Sequence, residues 1–149
     1  MRVWAHRKMI ALAMALCSAV ASTSSGQSGA TLVEAANALG WQIPPNALSE
    51  RSPLSPTPAV LKKGQERFAG QCQKCHGAEG KGDGPYRDPK HPPANLTAST
   101  IPDGIIFYKV WNGRKDLSMP AFKSVMTRDE IWEVVEFAKS LRASAPSPQ

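Results

Sequence analysis

The sequence predicts an all-α domain of three to four short helices wrapped around a bound group, preceded by an irregular extension rich in Pro and Ser. Two helical patterns support this class: apolar residues at spacings of three and four after Pro58, and a second such stripe after Thr127. A third observation is size, because a domain of about 85 residues with short helices has little core of its own. The bound group is therefore expected to supply much of the core.

The first helix is expected to begin at Pro58 with Thr57 as its cap, since proline is favoured in the first helical turn. Along one face it carries, at spacings of three, four and four, Leu61, Gly64, Phe68 and Cys72. Glycine inside a helix costs about 1 kcal/mol relative to alanine. Gly64 therefore predicts a close approach by another helix.

The partner helix is expected after Thr127, where Thr127 and Glu130 have the spacing of a capping box. Its apolar stripe comprises Ile131, Val134, Val135, Ala138 and Leu141. Four residues should meet where the two helices cross: Gly64, Phe68, Val134 and Phe137. A third helix should lie between them in sequence, beginning at Pro102 and ending at Asn112-Gly113.

The segment Cys72-Gln73-Lys74-Cys75-His76 has the spacing that attaches a c-type haem. Each thiol can form a thioether with one haem vinyl group, and His76 can bind the iron from the proximal side. A thioredoxin-like pair does not require the trailing histidine, and a zinc site needs further ligands. The remaining cysteine, Cys17, lies in a segment that is expected to be removed. The motif therefore predicts one covalently bound haem c, with a non-haem thiol redox protein as the most distant alternative.

Residues 1–21 have the features of a secretory signal peptide: a basic start with Arg2, Arg7 and Lys8, an apolar run, and the cleavage sequence Ala19-Val20-Ala21. The run is shorter than the roughly 20 residues of a membrane span, although an uncleaved anchor stays an alternative. Haem attachment to reduced thiols after export suits a bacterial periplasm, so we expect a periplasmic protein. The mature chain should then comprise a tail (22–57), one domain (58–142) and a disordered C-terminal tail (143–149).

The tail over 22–57 is rich in Ser, Ala and Pro, which favours extended backbone. Two interpretations are open for it. Trp41, Ile43 and Leu48 could clamp the tail onto the domain, because exposed apolar side chains at this density are unfavourable. The tail could equally be a mobile linker.

The amount and distribution of charge argue against nucleic acid as a partner. Removal of the signal peptide leaves 15 basic against 12 acidic residues, a formal charge of +3. The basic residues are dispersed and lack interleaved aromatic residues, which argues against a nucleic-acid-binding protein. Seven lysines could ring the haem edge and steer an acidic redox partner, or simply form a solvated face: Lys62, Lys63, Lys74, Lys81, Lys109, Lys115 and Lys123.

Several further short motifs follow one another in the domain. They are Gly80-Lys81-Gly82-Asp83-Gly84-Pro85, Pro92-Pro93-Ala94-Asn95-Leu96-Thr97, Asn112-Gly113, Met119-Pro120-Ala121-Phe122 and the last helix with Trp132. Together with the haem motif, this order resembles the class I c-type cytochromes, in particular the bacterial periplasmic monohaem type. The resemblance covers about residues 58–142 and implies the cytochrome c fold around one haem.

Met119 is expected to be the distal iron ligand. Its thioether is neutral and soft, and a Met/His pair raises the reduction potential relative to two histidines. Pro120 biases Met119 toward extended backbone, as in a loop whose side chain points inward. The resemblance implies that this methionine before proline is the ligand. Met126, His91 or an open sixth position are the alternatives, since most methionines simply pack in a core.

The resemblance also implies that a proline carbonyl accepts the free ring N–H of His76, with Pro93 as the candidate ahead of Pro92 and Pro85. Apolar haem contacts, or ordinary core contacts, are expected from Leu96, Ile106 and Phe122. Three residues could bond the haem propionates unless they form an exposed helix end: Trp111, Asn112 and Arg114. The glycine run over 77–84 lacks the strand and helix of a nucleotide loop, which favours a flexible turn at the haem edge.

These predictions lead to a one-electron carrier, cycling between Fe(III) and Fe(II) at a six-coordinate haem, with no catalytic residue of its own. Its partners would be periplasmic or membrane-bound dehydrogenases, reductases or oxidases, and it would meet a membrane only through such a partner complex. One alternative is a cytochrome subunit of a larger dehydrogenase or oxidase. Another is a haem enzyme or sensor with a labile sixth ligand.

Overall fold

The computed structural model describes residues 40–143 together with residues 31, 34 and 37. Residues 40–143 contain no strand and form four α-helices: α1 (Pro58–Gln71), α2 (Gln73–His76), α3 (Asp103–Asn112) and α4 (Arg128–Ala143). Short 3-10 turns occur at Pro45–Leu48 and Lys115–Leu117. The predicted fold class is confirmed. The predicted signal peptide (1–21) and residues 144–149 of the predicted C-terminal tail lie outside the described residues.

Helices α1 and α4 cross at Gly64, as predicted. A Cβ atom at position 64 would lie 2.1 Å from the Glu133 carbonyl oxygen, so only glycine permits this approach. Beside the crossing, the rings of Phe68 and Phe137 have centroids 5.3 Å apart at a tilt of 58°. A tilted pair of this kind contributes about 1 kcal/mol beyond its area burial. The crossing places Cys72, at the end of α1, beside the core.

Side chains cap both long helices as their sequences predict. Thr57 Oγ1 accepts a bond of 3.3 Å from the Val60 N–H at the start of α1. At α4, Thr127 Oγ1 accepts from the Glu130 N–H (3.3 Å), and Glu130 Oε2 accepts from the Thr127 N–H (2.8 Å). This is the predicted capping box. Each cap is worth about 1 kcal/mol.

Helix α3 packs against α4 through aromatic rings. Phe107 stacks on Trp132 with centroids 4.3 Å apart and on Trp111 at 5.6 Å. Trp132 is almost fully buried. Pro102 precedes the first residue of α3, and Gly113, at φ 60°, follows the last. Both ends agree with the predicted start and stop signals.

The described part of the N-terminal extension packs onto the domain, which agrees with the first of its two interpretations. Trp41 and Ile43 are buried, with 7% and 4% of their surface exposed. The 3-10 turn Pro45–Leu48 lies on α3 so closely that a Cβ at Gly104 would be 2.3 Å from the Ala47 carbonyl oxygen. Residues 41–50 are called the N-terminal clamp below. Among the described residues, no helix has the length and apolar character that crossing a membrane requires.

Candidate haem site

The haem motif lies where α1 ends and the short helix α2 begins. Cys72 separates the two helices, and its N–H still donates to the Phe68 carbonyl at 2.8 Å. Cys75 and His76 then occupy the last two positions of α2. Burial, with a smaller contribution from Cys75, raises the pKa of the Cys72 thiol to about 12. A thiol-redox centre needs a cysteine whose pKa is lowered, so this environment disfavours the thioredoxin-like alternative.

The glycine run after the motif folds back onto α2. Gly82 N–H donates to the His76 carbonyl (2.8 Å), and Gly84 N–H donates to the Cys75 carbonyl (3.0 Å). A Cβ at Gly84 would lie 2.5 Å from the Lys74 carbonyl oxygen. Because these N–H groups are bonded within the chain, they are not arranged to cradle a phosphate. The run is a packed turn against the haem motif rather than a loosely held one.

The imidazole of His76 is oriented by a backbone carbonyl. Its Nδ1 lies 3.2 Å from the Ala94 carbonyl oxygen. This corrects the prediction of Pro93 by one residue. The Pro93 oxygen faces Gly82 instead, where a Cβ would lie 2.5 Å from it. With Nδ1–H donating to Ala94, Nε2 is the nitrogen left for a metal.

Burial lowers the pKa of His76, and the bond to Ala94 opposes this only in part. The neutral imidazole is therefore favoured at neutral pH, which is the form that binds a metal ion. His76 is half-buried at one wall of a cavity of about 500 Å³. That volume is within the range of about 300–1,000 Å³ that is usual for cofactor and ligand sites.

Met119 lines the same cavity. Its backbone pairs with Arg114 in an isolated antiparallel bridge, with N–H···O distances of 2.7 and 3.0 Å. The extended backbone expected before Pro120 is thus present. Met126 does not line the cavity; it is buried in the main core, where Met126 N–H donates to the Phe122 carbonyl. His91 does line the cavity, but its Nδ1 lies 3.0 Å from Asp88 Oδ2.

The cavity brings together most of the residues that the sequence singled out. Its lining includes Cys72, Cys75, His76, Met119, Pro92, Pro93, Leu96, Ile106 and Phe122. The three residues considered for the propionates are not part of it: Trp111, Asn112 and Arg114. Trp111 stacks on Phe107 instead, and Arg114 pairs with Asp116 (2.5 Å) and lies over the Trp41 ring. Pro85, the last candidate for the His76 carbonyl, is also absent from the lining.

Two cations of the cavity wall were not among the residues expected to bond the propionates, although Lys109 is one of the lysines predicted as possible neighbours of the haem edge. Lys109 is half-buried, 4.9 Å from the centre of the Trp41 ring, and burial lowers the pKa of its ammonium group. Arg142 donates through Nη2 to the Ile101 carbonyl (3.2 Å), while its Nε is buried with no hydrogen-bond partner among the described residues. Helical spacing could have found both, because Lys109 is three residues after Ile106 and Arg142 four after Ala138.

These features fit a haem c. Haem c presents a large apolar ring, two vinyl groups for thiols, an iron for a histidine, and two carboxylates. The cavity supplies an apolar wall, two cysteines, a neutral oriented imidazole, and two half-buried cations, Lys109 and Arg142, that lack a carboxylate partner among the described ion pairs. Partial desolvation of an unpaired cation is unfavourable, and the propionates would offset it.

Comparison with known proteins supports the same assignment. No curated protein sequence matches the chain. Among solved structures, a chain of the Kuenenia stuttgartiensis reducing HAO-like protein complex Kustc0457/Kustc0458 matches with a TM-score of 0.53 and 25% sequence identity. The match covers 64% of this chain and 54% of the other, so this chain spans about half the length of the solved chain.

The family comparison covers most of the helical domain. The family described as cytochrome c oxidase, cbb3-type, subunit III matches residues 59–137, from the first turn of α1 to the middle of α4. The matched segment contains the haem motif, the His76 carbonyl partner and Met119. The resemblance to c-type cytochromes is confirmed, and the chain belongs to this family of cytochrome c domains.

Proposed function

We propose that this protein is a periplasmic one-electron carrier that uses the covalently bound haem c of its family. The observation that carries the proposal is the shared cavity: Cys72 lines it from the junction of α1 and α2, Cys75 and His76 line it from α2, and Met119 lines it from the loop after α3. Two thiols, an imidazole and a thioether around one apolar space suit a six-coordinate haem. When bound, the haem supplies an iron that accepts and releases a single electron.

Each residue has a defined task in this proposal. Cys72 and Cys75 hold the haem through thioethers, so the cofactor cannot dissociate. His76 would bind the iron through Nε2, and the Ala94 carbonyl at Nδ1 would fix the tautomer and strengthen the imidazole as a donor. Met119 would be the second protein ligand of the iron, and a Met/His pair would raise the reduction potential and leave no position for an external ligand.

The cavity wall completes the electron-transfer site. Leu96, Ile106 and Phe122 keep water from the ring, and a dry, low-dielectric surrounding favours the less charged ferrous state. Lys109 and Arg142 would neutralise the propionates. None of these residues performs bond chemistry on a substrate.

A second candidate function is an electron-transfer subunit of a larger complex. The matched family is named for a subunit of a cbb3-type oxidase, and the solved relative belongs to a protein complex. Under this proposal the same haem would pass electrons to an attached dehydrogenase or oxidase. Affinity purification from the native membrane and periplasm separates the two: a carrier elutes alone, whereas a subunit elutes with stoichiometric partners.

The experiment that tests the haem assignment is optical spectroscopy of protein matured in a periplasm with a haem-attachment system. Methionine ligation should give the long-wavelength charge-transfer band in the oxidised protein and indifference of the reduced protein to carbon monoxide. Rapid carbon monoxide binding would favour the enzyme or sensor. Fractionation of the same cells tests the periplasmic assignment, because an exported carrier is released with the periplasmic contents.

A further inference from the structure

The N-terminal clamp (residues 41–50) lies outside the matched family segment but reaches the haem cavity. Trp41 lines the cavity together with Met119. Trp41, Ile43 and Ala47 form a buried cluster with Ile105 of α3, and Met119 packs against this cluster. A segment that precedes the family domain therefore contributes to the wall beside the proposed distal ligand.

Trp41 connects α3 to the loop that carries Met119. The Lys109 ammonium of α3 lies 4.9 Å from the centre of the Trp41 ring, and the Arg114 guanidinium lies 5.5 Å from it. Arg114 is also the backbone partner of Met119, through two N–H···O bonds. A cation over a tryptophan face contributes about 0.5–2 kcal/mol, depending on desolvation. Removing the indole would thus loosen both the helix and the loop beside Met119.

The clamp is held on the domain by contacts at several points. Within the extension itself, Ile43 N–H donates to Asn37 Oδ1 at 2.9 Å. The Ala47 carbonyl lies against Gly104, where no side chain larger than glycine fits. Glu50 Oε1 pairs with Arg128 Nη2 at the start of α4 (2.7 Å). Contacts spread over this length keep Trp41 against the cavity, as expected for an integral part of the site.

We propose that the N-terminal clamp is a structural part of the haem site, in which Trp41 is a positioning residue. Trp41 holds the Met119 loop against the cavity and excludes water and small ligands from the distal side. This inference rests on the proposed function, because it requires Met119 as an iron ligand. An external ligand can bind only while Met119 is displaced, so its apparent affinity reports how firmly Met119 is held.

The test compares variants of the full, haem-loaded protein. Trp41→Ala removes the indole from the cavity wall, Trp41→Phe keeps an aromatic ring there, and Gln42→Ala changes an exposed neighbour in the same segment. Each ferric protein is titrated with imidazole, and its charge-transfer band and midpoint potential are measured. We expect Trp41→Ala to bind imidazole about tenfold more tightly, with a weaker band and a lower potential. Trp41→Phe should be intermediate, and Gln42→Ala should match the wild type.

Unchanged imidazole affinity, band and potential in Trp41→Ala would overturn the inference. If Trp41→Ala does not acquire its haem, Trp41→Phe and Ile43→Ala replace it and are measured in the same way. Wild-type values in both variants would also overturn the inference. Failure of the proposed function appears differently. A wild-type protein that lacks the methionine band and binds imidazole freely would overturn Met119 ligation, and this inference with it.

Discussion

The hydroxyl of Ser118 donates a hydrogen bond of 2.7 Å to Oδ2 of Asp88. Asp88 also accepts from the Lys90 N–H (2.9 Å) and lies 3.0 Å from His91 Nδ1. The Ser118 bond, followed by these neighbours, holds the pKa of Asp88 well below its usual range. Ser118 directly precedes Met119 and has a left-handed backbone at φ 61°. The bond therefore fastens the loop of the proposed distal ligand to another segment of the cavity wall.

Loss of this bond should loosen Met119. We expect Ser118→Ala to raise the affinity of the ferric protein for imidazole about fivefold, since one charge-assisted bond is removed. Ser118→Gly loses the same bond, but glycine adopts the left-handed backbone without strain. Comparing the two variants therefore separates the effect of the lost bond from the effect of backbone strain at position 118. The exposed Ser124→Ala is the control. Equal imidazole affinities in Ser118→Ala and Ser124→Ala would show that the bond does not hold Met119.

The crossing of α1 and α4 predicts that alanine substitutions at two glycines of α1 change the stability of the protein in opposite directions. Gly64→Ala would place a Cβ against the Glu133 carbonyl, whereas Gly70→Ala would have no neighbouring atom within 4 Å. We expect Gly64→Ala to lower the free energy of unfolding by about 1–3 kcal/mol. Gly70→Ala should raise it by up to about 1 kcal/mol through helix propensity. Denaturant unfolding of the haem-loaded protein measures both, and changes of the same sign would contradict the crossing geometry.

Local patterns allowed the helical part of the fold to be predicted. The capping box at Thr127 and Glu130 depends only on residues three apart, and the Gly64 crossing follows from a costly glycine on an apolar face. The haem motif likewise lies within five consecutive residues. Such features need no knowledge of how distant segments meet, so the observed bonds and packing agree with their prediction.

Features that depend on tertiary contacts were harder to predict from the sequence. The carbonyl that meets His76 belongs to Ala94, while the Pro93 carbonyl lies against Gly82, and only the folded path of the loop decides between the two. The propionate candidates near the end of α3 do not line the cavity, while Lys109 and Arg142 do. For Trp41, composition could not decide between a clamp and a linker, since the answer depends on the packing surface of α3.

Acid should weaken the α4 cap. The Thr127 N–H, and next the Arg67 guanidinium at 2.8 Å, lower the pKa of Glu130 from an ordinary 4.5 to about 2. A carboxylate with a depressed folded-state pKa stabilises the fold above pH 4.5, and that contribution is lost as the pH falls toward 2. We expect Glu130→Gln to be less stable than the wild type at pH 6 and to show a shallower loss of stability in acid. Denaturation midpoints measured between pH 6 and pH 2 test both expectations, with the exposed Glu66→Gln as control. If Glu130→Gln loses stability in acid as steeply as the wild type, ionised Glu130 does not stabilise the α4 cap.

Lys109 should raise the reduction potential. Its ammonium lines the haem cavity, is partly desolvated, and has no carboxylate partner among the described ion pairs. A nearby positive charge, or a neutralised propionate, favours the ferrous state because that state carries less positive charge. We expect Lys109→Met to lower the midpoint potential by an amount on the order of tens of millivolts, where 59 mV is about tenfold for one electron. The exposed Lys123→Met is the matched control, and Lys109→Arg should retain most of the wild-type potential. Redox titration of the three variants decides the matter: equal shifts in Lys109→Met and Lys123→Met would mean that Lys109 acts only as one more surface charge.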